Sequence, residues 1–187
     1  RILSQPGKGK GDAIRHGFRH AKGDIIITFD ADGSFDADEI PSYVKPLLEG
    51  YDMVKGSRFL PGGDTADMPL FRRLGNGVLT RLANLLCGTS YSDLCYGFHA
   101  FRRDALDDLN LKSDGFEIDT EMYLKAKKAG LMVTEVPSFE EKRINGASNL
   151  KSLQDGWRIL KTIVSVSFGR KQSRSLVAGM SLSEFNT

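Results

Sequence analysis

An apolar run with two carboxylates directly behind it constrains the fold of this chain more than any other feature. Residues 25–29 read Ile-Ile-Ile-Thr-Phe, a continuous stretch rich in β-branched side chains. Such a run predicts a strand buried on both faces, which is typical of parallel sheets. Asp30 and Asp32 follow at once, and ligands of open parallel sheets collect at the carboxyl ends of the strands. The sequence therefore predicts an α/β fold with a ligand site at this strand end.

The triplet Asp30-Ala31-Asp32 is a candidate cation site. Hard divalent cations such as Mg2+ or Mn2+ take oxygen ligands and commonly share them with substrate phosphates. A D-x-D triplet alone is weak evidence, because the chain has a second one, residues 36–38, which capping of a predicted helix explains. Its position at a strand end favours metal–diphosphate binding by the first triplet over a plain turn.

The remaining apolar pattern alternates between helical and strand spacing. We predict helices over residues 9–21, 36–49, 70–87, 119–129 and 150–166, and strands over 25–29, 52–57, 97–101 and 133–136. Pro46 is expected to kink the second helix or end it early. Strands that alternate with helices indicate one mainly parallel sheet covered on both sides. The length of 187 residues suits one domain, and residues 169–187 are expected to form a flexible C-terminal tail.

The charge is nearly balanced overall but unevenly distributed. Lys and Arg number 26 against 24 Asp and Glu, a net charge of +2, which argues against a nucleic-acid partner bound through bulk basicity. Residues 24–52 carry eight acids and one base, whereas residues 140–174 carry eight bases and three acids. This pattern indicates a cation site and an anion-facing surface, or else two solvated faces. No stretch approaches the roughly 18 apolar residues of a membrane span, and two cysteines indicate a reducing, cytoplasmic compartment.

Several basic residues stand where they could contact phosphate. The glycine-rich segment 7–11, which contains Lys8, precedes a predicted helix and fits a phosphate contact or a solvated turn. It lacks the spacing of a Walker A loop. Arg58 closes the second strand and Arg72 opens the third helix, positions from which a guanidinium could clamp phosphate or face solvent. Arg143 begins a loop with Gly and Ser of the kind that closes over an anion.

Acidic candidates also lie outside the first triplet. Asp93 precedes the strand predicted over residues 97–101 and could act as a base or accept a hydrogen bond from a sugar hydroxyl. Glu117, Asp119 and Glu121 form a cluster that a helix N-terminus explains. Asp93 is therefore the acidic candidate added to the first triplet.

Six stretches, in this order and spacing, resemble family-two glycosyltransferases with the GT-A fold, and within them the dolichol-phosphate mannosyltransferase-like branch. They are GKGKGDAIRHGF (7–18), GDIIITFDADGSFDADEI (23–40), GSRF (56–59), SDLCYGFHAFRRDAL (92–106), GFEIDTEMYLKAKKAGLMVTEVPS (115–138) and RINGASNL (143–150). The resemblance implies a GT-A-type, Rossmann-like and mainly parallel sheet flanked by helices. It also implies an inverting, metal-dependent hexosyltransferase that moves a sugar from a nucleotide-diphosphate sugar to a polyisoprenyl phosphate of the dolichyl or undecaprenyl type.

The resemblance assigns the donor side of the site to Asp30, Asp32 and Arg143, and the glycine-rich segment adds Lys8. Asp30 and Asp32 would hold Mg2+ or Mn2+ together with the donor diphosphate. Arg143 would hold the diphosphate from the closing loop, and Lys8 is a further candidate for donor binding. Asp32 is accordingly one of the expected catalytic residues.

The acceptor side is assigned in the same way. Arg58 and Arg72 would bind the phosphate of the lipid acceptor, together with Asn76, which stands where close relatives often have serine. Asp93 would line the sugar pocket. Arg58 and Asp93 complete the set of expected catalytic residues.

The chain departs from the family pattern at its start and in its closing loop. It opens on Arg1, with Met53 as its first methionine, and nothing before Arg1 supplies the family's half-domain for the base and ribose. Ser148 is followed by Asn149 where the family usually has lysine. We therefore expect residues 1–168 to be a partial GT-A catalytic domain, truncated at the N-terminus.

Alternatives from other classes stay open on the sequence. A related family-two transferase could act on a saccharide or a cell-envelope polymer instead of a lipid phosphate. A non-catalytic fragment that binds a nucleotide or another anion is the alternative outside enzymes. The basic, amphipathic stretch 150–166 fits either peripheral docking on the cytoplasmic face of an anionic membrane or an ordinary helix packed on a core.

Overall fold

A computed structural model describes residues 1–144 and 148–169 of the chain. The expected flexible tail, from residue 170 onward, lies outside the described residues, as do residues 145–147 of the predicted closing loop. The helices are α1 (Lys10–His20), α2 (Ile40–Leu48), α3 (Leu70–Cys87), α4 (Arg103–Asp107), α5 (Ile118–Lys128) and α6 (Ser152–Phe168), with a 3-10 turn at Ala37–Glu39. The strands are β1 (Ile25–Thr28), β2 (Met53–Ser57), β3 (Asp64–Thr65), β4 (His99–Arg102), β5 (Val133–Pro137) and β6 (Phe139–Glu140).

The main sheet has the strand order β1-β4-β2-β5. Strand β4 is antiparallel to both of its neighbours, whereas β2 and β5 are parallel. Strands β1, β2 and β5 therefore run in the same direction, and their carboxyl ends lie at one edge. The predicted α/β class is confirmed, and the sheet is mixed because β4 returns between two strands that run the other way.

Strand β1 is less buried than its apolar sequence predicts. Only Ile26 of the strand is buried, and Phe29, just beyond it, is 50% exposed. Within the described residues β1 pairs with β4 on one side and with no strand on the other. The prediction of a strand buried on both faces is therefore wrong for most of this run, because β1 lies at the edge of the sheet.

Alternate strand residues face two hydrophobic cores on opposite sides of the sheet. Met53 packs into the core formed with α3, α5 and α6, whereas its neighbour Val54 packs into the core formed with α2. In the second core, Tyr43 of α2 stacks on Phe98 with 4.0 Å between ring centroids. Each such buried side chain contributes about 1.5–3 kcal/mol. Helices thus cover both faces of the sheet, as predicted.

The segment 36–49 begins with a capped turn, not with a regular helix. The Asp36 carboxylate accepts a hydrogen bond from the backbone N–H of Asp38 at 2.9 Å, so capping does explain the second D-x-D triplet. Helix α2 contains Pro46 and ends at Leu48, two residues later. Pro46 has no N–H to donate to the carbonyl of Ser42, which interrupts the helical hydrogen bonds, and the helix ends soon after it.

A small second sheet joins two loops in which the sequence predicts no strand. Strands β3 and β6 are parallel, with Thr65 opposite Glu140. The pairing ties the loop that leads into α3 to the loop that follows β5. Helix α3 itself begins and ends at the predicted residues. In residues 1–144 and 148–169, no helix has both the length and the apolar character that a bilayer span requires.

Candidate functional site

A cavity of about 950 Å³ opens where the three parallel strands end. Asp30 and Asp32 follow β1, Arg58 follows β2, and Glu140 and Arg143 follow β5. The first halves of α3 and α6 complete the wall. Residues that were candidates in the sequence thus meet at the carboxyl edge of the sheet, where open α/β sheets bind ligands.

Asp32 is held in one orientation by its own turn. Its Oδ1 accepts hydrogen bonds from the backbone N–H and the hydroxyl of Ser34, at 3.0 and 2.6 Å. Its Oδ2 lies 3.8 Å from Nη1 of Arg143. Burial raises the pKa of Asp32, but the hydrogen bonds from Ser34 and the charge of Arg143 outweigh it and leave the pKa below its usual value. Asp32 is therefore an ionised carboxylate at neutral pH.

Asp30 shares a buried lysine with a second carboxylate. Nζ of Lys10 lies 3.4 Å from Oδ2 of Asp30 and 3.0 Å from Oδ2 of Asp119. Burial lowers the pKa of Lys10, and the two carboxylates outweigh burial and raise it. Burial raises the pKa of Asp119 to about 6 despite the ammonium beside it. A Cβ on Gly97 would lie 2.6 Å from Lys10 Nζ, so the absence of a side chain there admits the lysine.

The lysine of this cluster is Lys10, whereas the sequence predicts a donor contact for Lys8. Lys8 is exposed, precedes α1 and does not line the cavity, whereas Lys10, at the start of α1, does. Lys8 thus lies outside the cavity, and the donor contact expected of it stays a prediction. The alternation of glycine and lysine in residues 7–11 gave no signal to choose between the two, because the choice depends on contacts with Asp30 and Asp119, far away in sequence.

Asp30 and Asp32 fit the small number of protein ligands that Mg2+ or Mn2+ takes. Among the described residues no group of three or more His, Cys, Asp or Glu side chains could hold a metal by itself. Mg2+ is commonly bound through one or two carboxylates plus water and substrate phosphates. Two carboxylates that follow one strand end and open to the cavity match such a shared site.

Arg58 is buried and bound by two carboxylates. Its Nε and Nη2 donate to Asp93 at 2.7 and 3.0 Å, its Nη1 donates to Glu140 at 2.9 Å, and Nη2 also donates to the Cys95 carbonyl at 3.0 Å. Burial lowers the pKa of Arg58, but the charges of Asp93 and Glu140 outweigh the effect of burial, so the net pKa is raised. Of the five N–H groups of a guanidinium, these four bonds leave one on Nη1.

Asp93 lies behind the cavity wall, which corrects the expectation that it lines a sugar pocket. Its side chain is fully buried, and it accepts hydrogen bonds from Arg58, from Nδ2 of Asn76 at 2.9 Å and from the backbone N–H of Cys95 at 3.2 Å. Burial raises the pKa of Asp93, and the Arg58 guanidinium outweighs it and lowers the pKa. Its oxygens are saturated by donors, so Asp93 positions Arg58 and Asn76.

Asn76 lines the cavity, and Asp93 fixes the orientation of its amide group. Nδ2 donates to Asp93, and Oδ1 is buried without a hydrogen-bond partner among the described residues. Oδ1 cannot exchange places with Nδ2, because it would then face a carboxylate oxygen. Nδ2 carries two N–H groups, of which the hydrogen bond to Asp93 uses one, so the contact of Asn76 with an acceptor phosphate stays a prediction.

Arg72 carries a positive charge that no described carboxylate neutralises. Its Nε and Nη1 donate to the hydroxyls of Ser152 and Ser148, each at 3.1 Å, and Nη2 donates to the carbonyl of Leu150 at 3.3 Å. All of its partners are neutral. A guanidinium flanked by two hydroxyl groups at a cavity wall is a suitable place for a phosphate group.

Arg143 lies across the cavity and is held by Asp67, a carboxylate that is not among the site residues predicted from the sequence. Its Nε and Nη2 donate to Oδ2 of Asp67 at 2.9 and 2.6 Å. These hydrogen bonds outweigh burial and raise the pKa of Arg143. The backbone N–H of Ile144 donates to the carbonyl of Asp32 at 2.9 Å, which docks the described start of the predicted closing loop beside the first triplet.

The cavity also has an apolar arm between two helices. Phe71, Val78 and Leu79 of α3 face Trp157 and Leu160 of α6 across it. Each helix has one glycine in this wall, at positions 75 and 156, and a Cβ at either would meet no other atom within 4 Å. The site therefore combines a charged floor with an apolar exit, although it was predicted from charged residues alone.

Comparisons with known proteins identify the family of the chain. Residues 1–109 match the sequence profile of glycosyl transferase family 2. The chain belongs to this family. It is 35% identical over 160 residues to glycosyltransferase AglJ of Haloferax volcanii, covering 83% of this chain and 52% of AglJ. It is 29% identical over 166 residues to the dolichyl-phosphate hexose transferase of the same organism, covering 89% of this chain and 71% of that protein.

A solved structure of low sequence identity shows the same fold. Glucosyl-3-phosphoglycerate synthase of Mycobacterium tuberculosis, crystallised with Mn2+, UDP-glucose and glycerol 3-phosphate, superposes with a TM-score of 0.63 at 20% identity over 89% of this chain and 57% of that chain. The GT-A fold predicted for this family-2 chain is thereby confirmed. The chain spans about half the length of several curated relatives that it matches.

Proposed function

We propose that this family-2 protein transfers a hexose, with inversion, from a nucleotide-diphosphate sugar to a polyisoprenyl phosphate. The observation that carries the proposal is the shape of the cavity, which joins a charged floor to an apolar arm between α3 and α6. A soluble phosphorylated acceptor needs only the floor. A lipid phosphate needs both parts, and the similarity to a dolichyl-phosphate hexose transferase supports the lipid.

The donor diphosphate is assigned to the side of the cavity formed by Asp30, Asp32 and Arg143. The two carboxylates would hold Mg2+ or Mn2+, which would stabilise the leaving diphosphate as a Lewis acid. Arg143 supplies a fixed positive charge 3.8 Å from Asp32. Glucosyl-3-phosphoglycerate synthase, which has the same fold and was crystallised with Mn2+ and UDP-glucose, supports a nucleotide-sugar donor.

The acceptor phosphate is assigned to the side formed by Arg72, Ser148 and Ser152. Arg72 has only neutral partners among the described residues, so an anion would gain its full charge. Arg58 adds its remaining N–H and stands beside Asn76 on the floor, where both are fixed by Asp93. In this arrangement Arg58 and Asn76 shape the phosphate pocket, and Arg72 supplies the charge that binds the anion.

The lipid chain is assigned to the apolar arm, and the exposed surface around it to a membrane. Leu74 on α3 and Leu153 and Phe168 on α6 are 63, 92 and 80% exposed. Exposed large apolar side chains, where they gather on a surface, mark contacts with a partner or a membrane. Arg158 and Lys161, exposed on α6, would face anionic headgroups. Peripheral docking on a cytoplasmic membrane surface would bring the arm next to its substrate.

The proposed reaction needs no general base. A non-bridging oxygen of the acceptor phosphate attacks the anomeric carbon, the bond from that carbon to the diphosphate oxygen breaks, and the electron pair leaves with the nucleoside diphosphate. The phosphate dianion carries no proton to remove, so orientation and charge neutralisation dominate. The buried, saturated position of Asp93 is consistent with a reaction without a base at that residue.

An acceptor comparison tests the proposal. The chain would be assayed with radiolabelled UDP- and GDP-hexoses and Mn2+, with undecaprenyl phosphate or dolichyl phosphate in detergent against glycerol 3-phosphate and a neutral polyprenol. We expect product only with the lipid phosphates, and loss of it in Arg72→Ala. Arg81→Ala removes an exposed arginine from the same helix and outside the cavity, and should leave transfer unchanged. Transfer to glycerol 3-phosphate at an equal rate would contradict the lipid assignment.

A further inference from the structure

The guanidinium of Arg143 has two edges, and in this structure they face different groups. The edge formed by Nε and Nη2 is occupied by Oδ2 of Asp67, at 2.9 and 2.6 Å. The other edge, which contains Nη1, points toward Asp32, with 3.8 Å between Nη1 and Oδ2. That distance is too long for a hydrogen bond. The edge formed by Nε and Nη2, called the outer edge, is therefore anchored. The edge that contains Nη1, called the inner edge, stays available to a ligand.

Asp67 is itself fixed, so it can act as an anchor. The hydroxyl oxygen of Thr65 accepts hydrogen bonds from the backbone N–H groups of Asp67 and Met68, at 3.3 and 3.1 Å. The same hydroxyl donates to Glu140 at 2.6 Å, across the pairing of β3 with β6. The carboxylate thus comes from a braced turn directly before α3.

Without Asp67, Asp32 would be the nearest carboxylate to Arg143. The two would then be drawn together by their charges, and Arg143 would cover an oxygen that the proposed cation needs. A carboxylate on the opposite side of the guanidinium balances this attraction. Asp67 thus keeps Arg143 near the first triplet but prevents its guanidinium from forming a hydrogen bond with Asp32.

We propose that Asp67 is a positioning residue for the donor diphosphate, acting by holding the outer edge of Arg143 so that the inner edge faces the ligand. The inference rests on the proposed function, because it takes Arg143 as a diphosphate ligand. Asp67 does not touch the diphosphate in this arrangement, and its effect passes entirely through Arg143.

Direct binding measurements on the full chain test the inference. UDP and GDP would be titrated in the presence of Mn2+ by calorimetry, and whichever binds wild type more tightly would be used for the variants. We expect Asp67→Asn to weaken binding by about tenfold, as for loss of one charge-assisted contact, and Asp67→Glu to restore part of it. Asp64→Asn is the matched control, since Asp64 pairs at 3.0 Å with the exposed Arg73 and makes no contact with Arg143.

A double-mutant cycle separates this role from general damage. Arg143→Ala should weaken diphosphate binding by itself, and Asp67→Asn should add nothing in that background, because its partner is gone. Additive losses, unchanged binding or tighter binding in Asp67→Asn would overturn the positioning role while Arg143 kept its own. Unchanged binding in Arg143→Ala, or no diphosphate binding by wild type, would overturn the donor assignment of the proposed function and this inference with it.

Discussion

Arg58, on the floor of the cavity, forms a two-point ion pair with Asp93 behind it. Nε lies 2.7 Å from Oδ2 and Nη2 lies 3.0 Å from Oδ1, and the two side chains are 4 and 0% exposed. A charge so completely removed from water is tolerated because its partner is present and correctly oriented. The pair therefore links the stability of the domain to the geometry of its proposed acceptor site.

Removal of the Asp93 charge should destabilise the fold. Asp93→Asn leaves Arg58 buried with Glu140 as its remaining carboxylate, and breaking a buried pair in this way costs about 3–5 kcal/mol. Urea denaturation followed by circular dichroism would measure the free energy of unfolding. Asp104→Asn breaks the solvent-exposed pair with Arg102 and should cost less than about 1 kcal/mol. Equal losses for the two variants would contradict the assignment of Asp93 as a buried structural anchor.

Asp119 should give the stability an unusual pH dependence. Its pKa is raised by burial to about 6 from 3.8, so between these values the folded protein binds more protons than the unfolded chain. The stability of wild type relative to Asp119→Asn should therefore fall as the pH rises from 4 to 7, by up to roughly 3 kcal/mol. Denaturation curves of both proteins over this range would measure the difference.

Asp104 supplies a control of opposite sign for that experiment. Burial raises the pKa of Asp104, but Arg102 outweighs it, and the net pKa is lowered. Wild type should therefore gain stability relative to Asp104→Asn as the pH rises through the acid range. A rising difference for Asp119 as well would show that its carboxyl does not carry a raised pKa.

The two D-x-D triplets should respond differently to the same substitution. Asp32→Asn is expected to reduce sugar transfer by about a hundredfold or more, because it removes a charged ligand of the proposed cation. Asp36→Asn affects a cap and should leave transfer unchanged, at a cost in stability of about 1 kcal/mol or less. Steady-state rates at several Mn2+ concentrations, with EDTA as the blank, would measure both. Equal activity of the two variants would exclude Asp32 as a metal ligand.

A side chain that fills the apolar arm should weaken binding of the lipid acceptor and leave binding of the nucleotide sugar unchanged. Gly156→Leu places a branched side chain in the open space of the arm, and we expect the KM for a long-chain polyprenyl phosphate to rise by about tenfold or more, given the loss of apolar contact. The KM for the nucleotide sugar should not change. Gly77→Leu is the control, since Gly77 lies on α3 with open space around it and outside the cavity wall. An equal effect of both substitutions would contradict the location of the lipid.

Features governed by local sequence were predictable. The apolar spacing of residues 70–87 predicts α3 at its observed bounds, and Asp36 caps its turn as its type and place indicate. Asp32 and Arg143 reach the cavity because both follow strands whose ends lie on one edge. These predictions succeed because helix periodicity, capping and strand ends depend on residues a few positions apart.

Contacts between distant segments were not predictable in the same way. Arg143 and Asp67 are 76 positions apart, and their pairing depends on β3 and β6, two strands of two residues each. The choice of Lys10 over Lys8 depends on where Asp119 is placed. The exposure of Phe29 follows from the edge position of β1, which an apolar run cannot reveal.

The length of helix α3 in the cavity wall limits how much of a lipid acceptor the cavity can contact. Its wall residues run from Phe71 to Leu79, and at about 1.5 Å of rise per residue this stretch is about 12 Å long. An isoprenoid anchored by its phosphate at Arg72 would leave the wall after its first few units. Selection by the helix would therefore depend on the saturation and branching of those first units, and the remaining length of the lipid would be decided by which chains the membrane supplies.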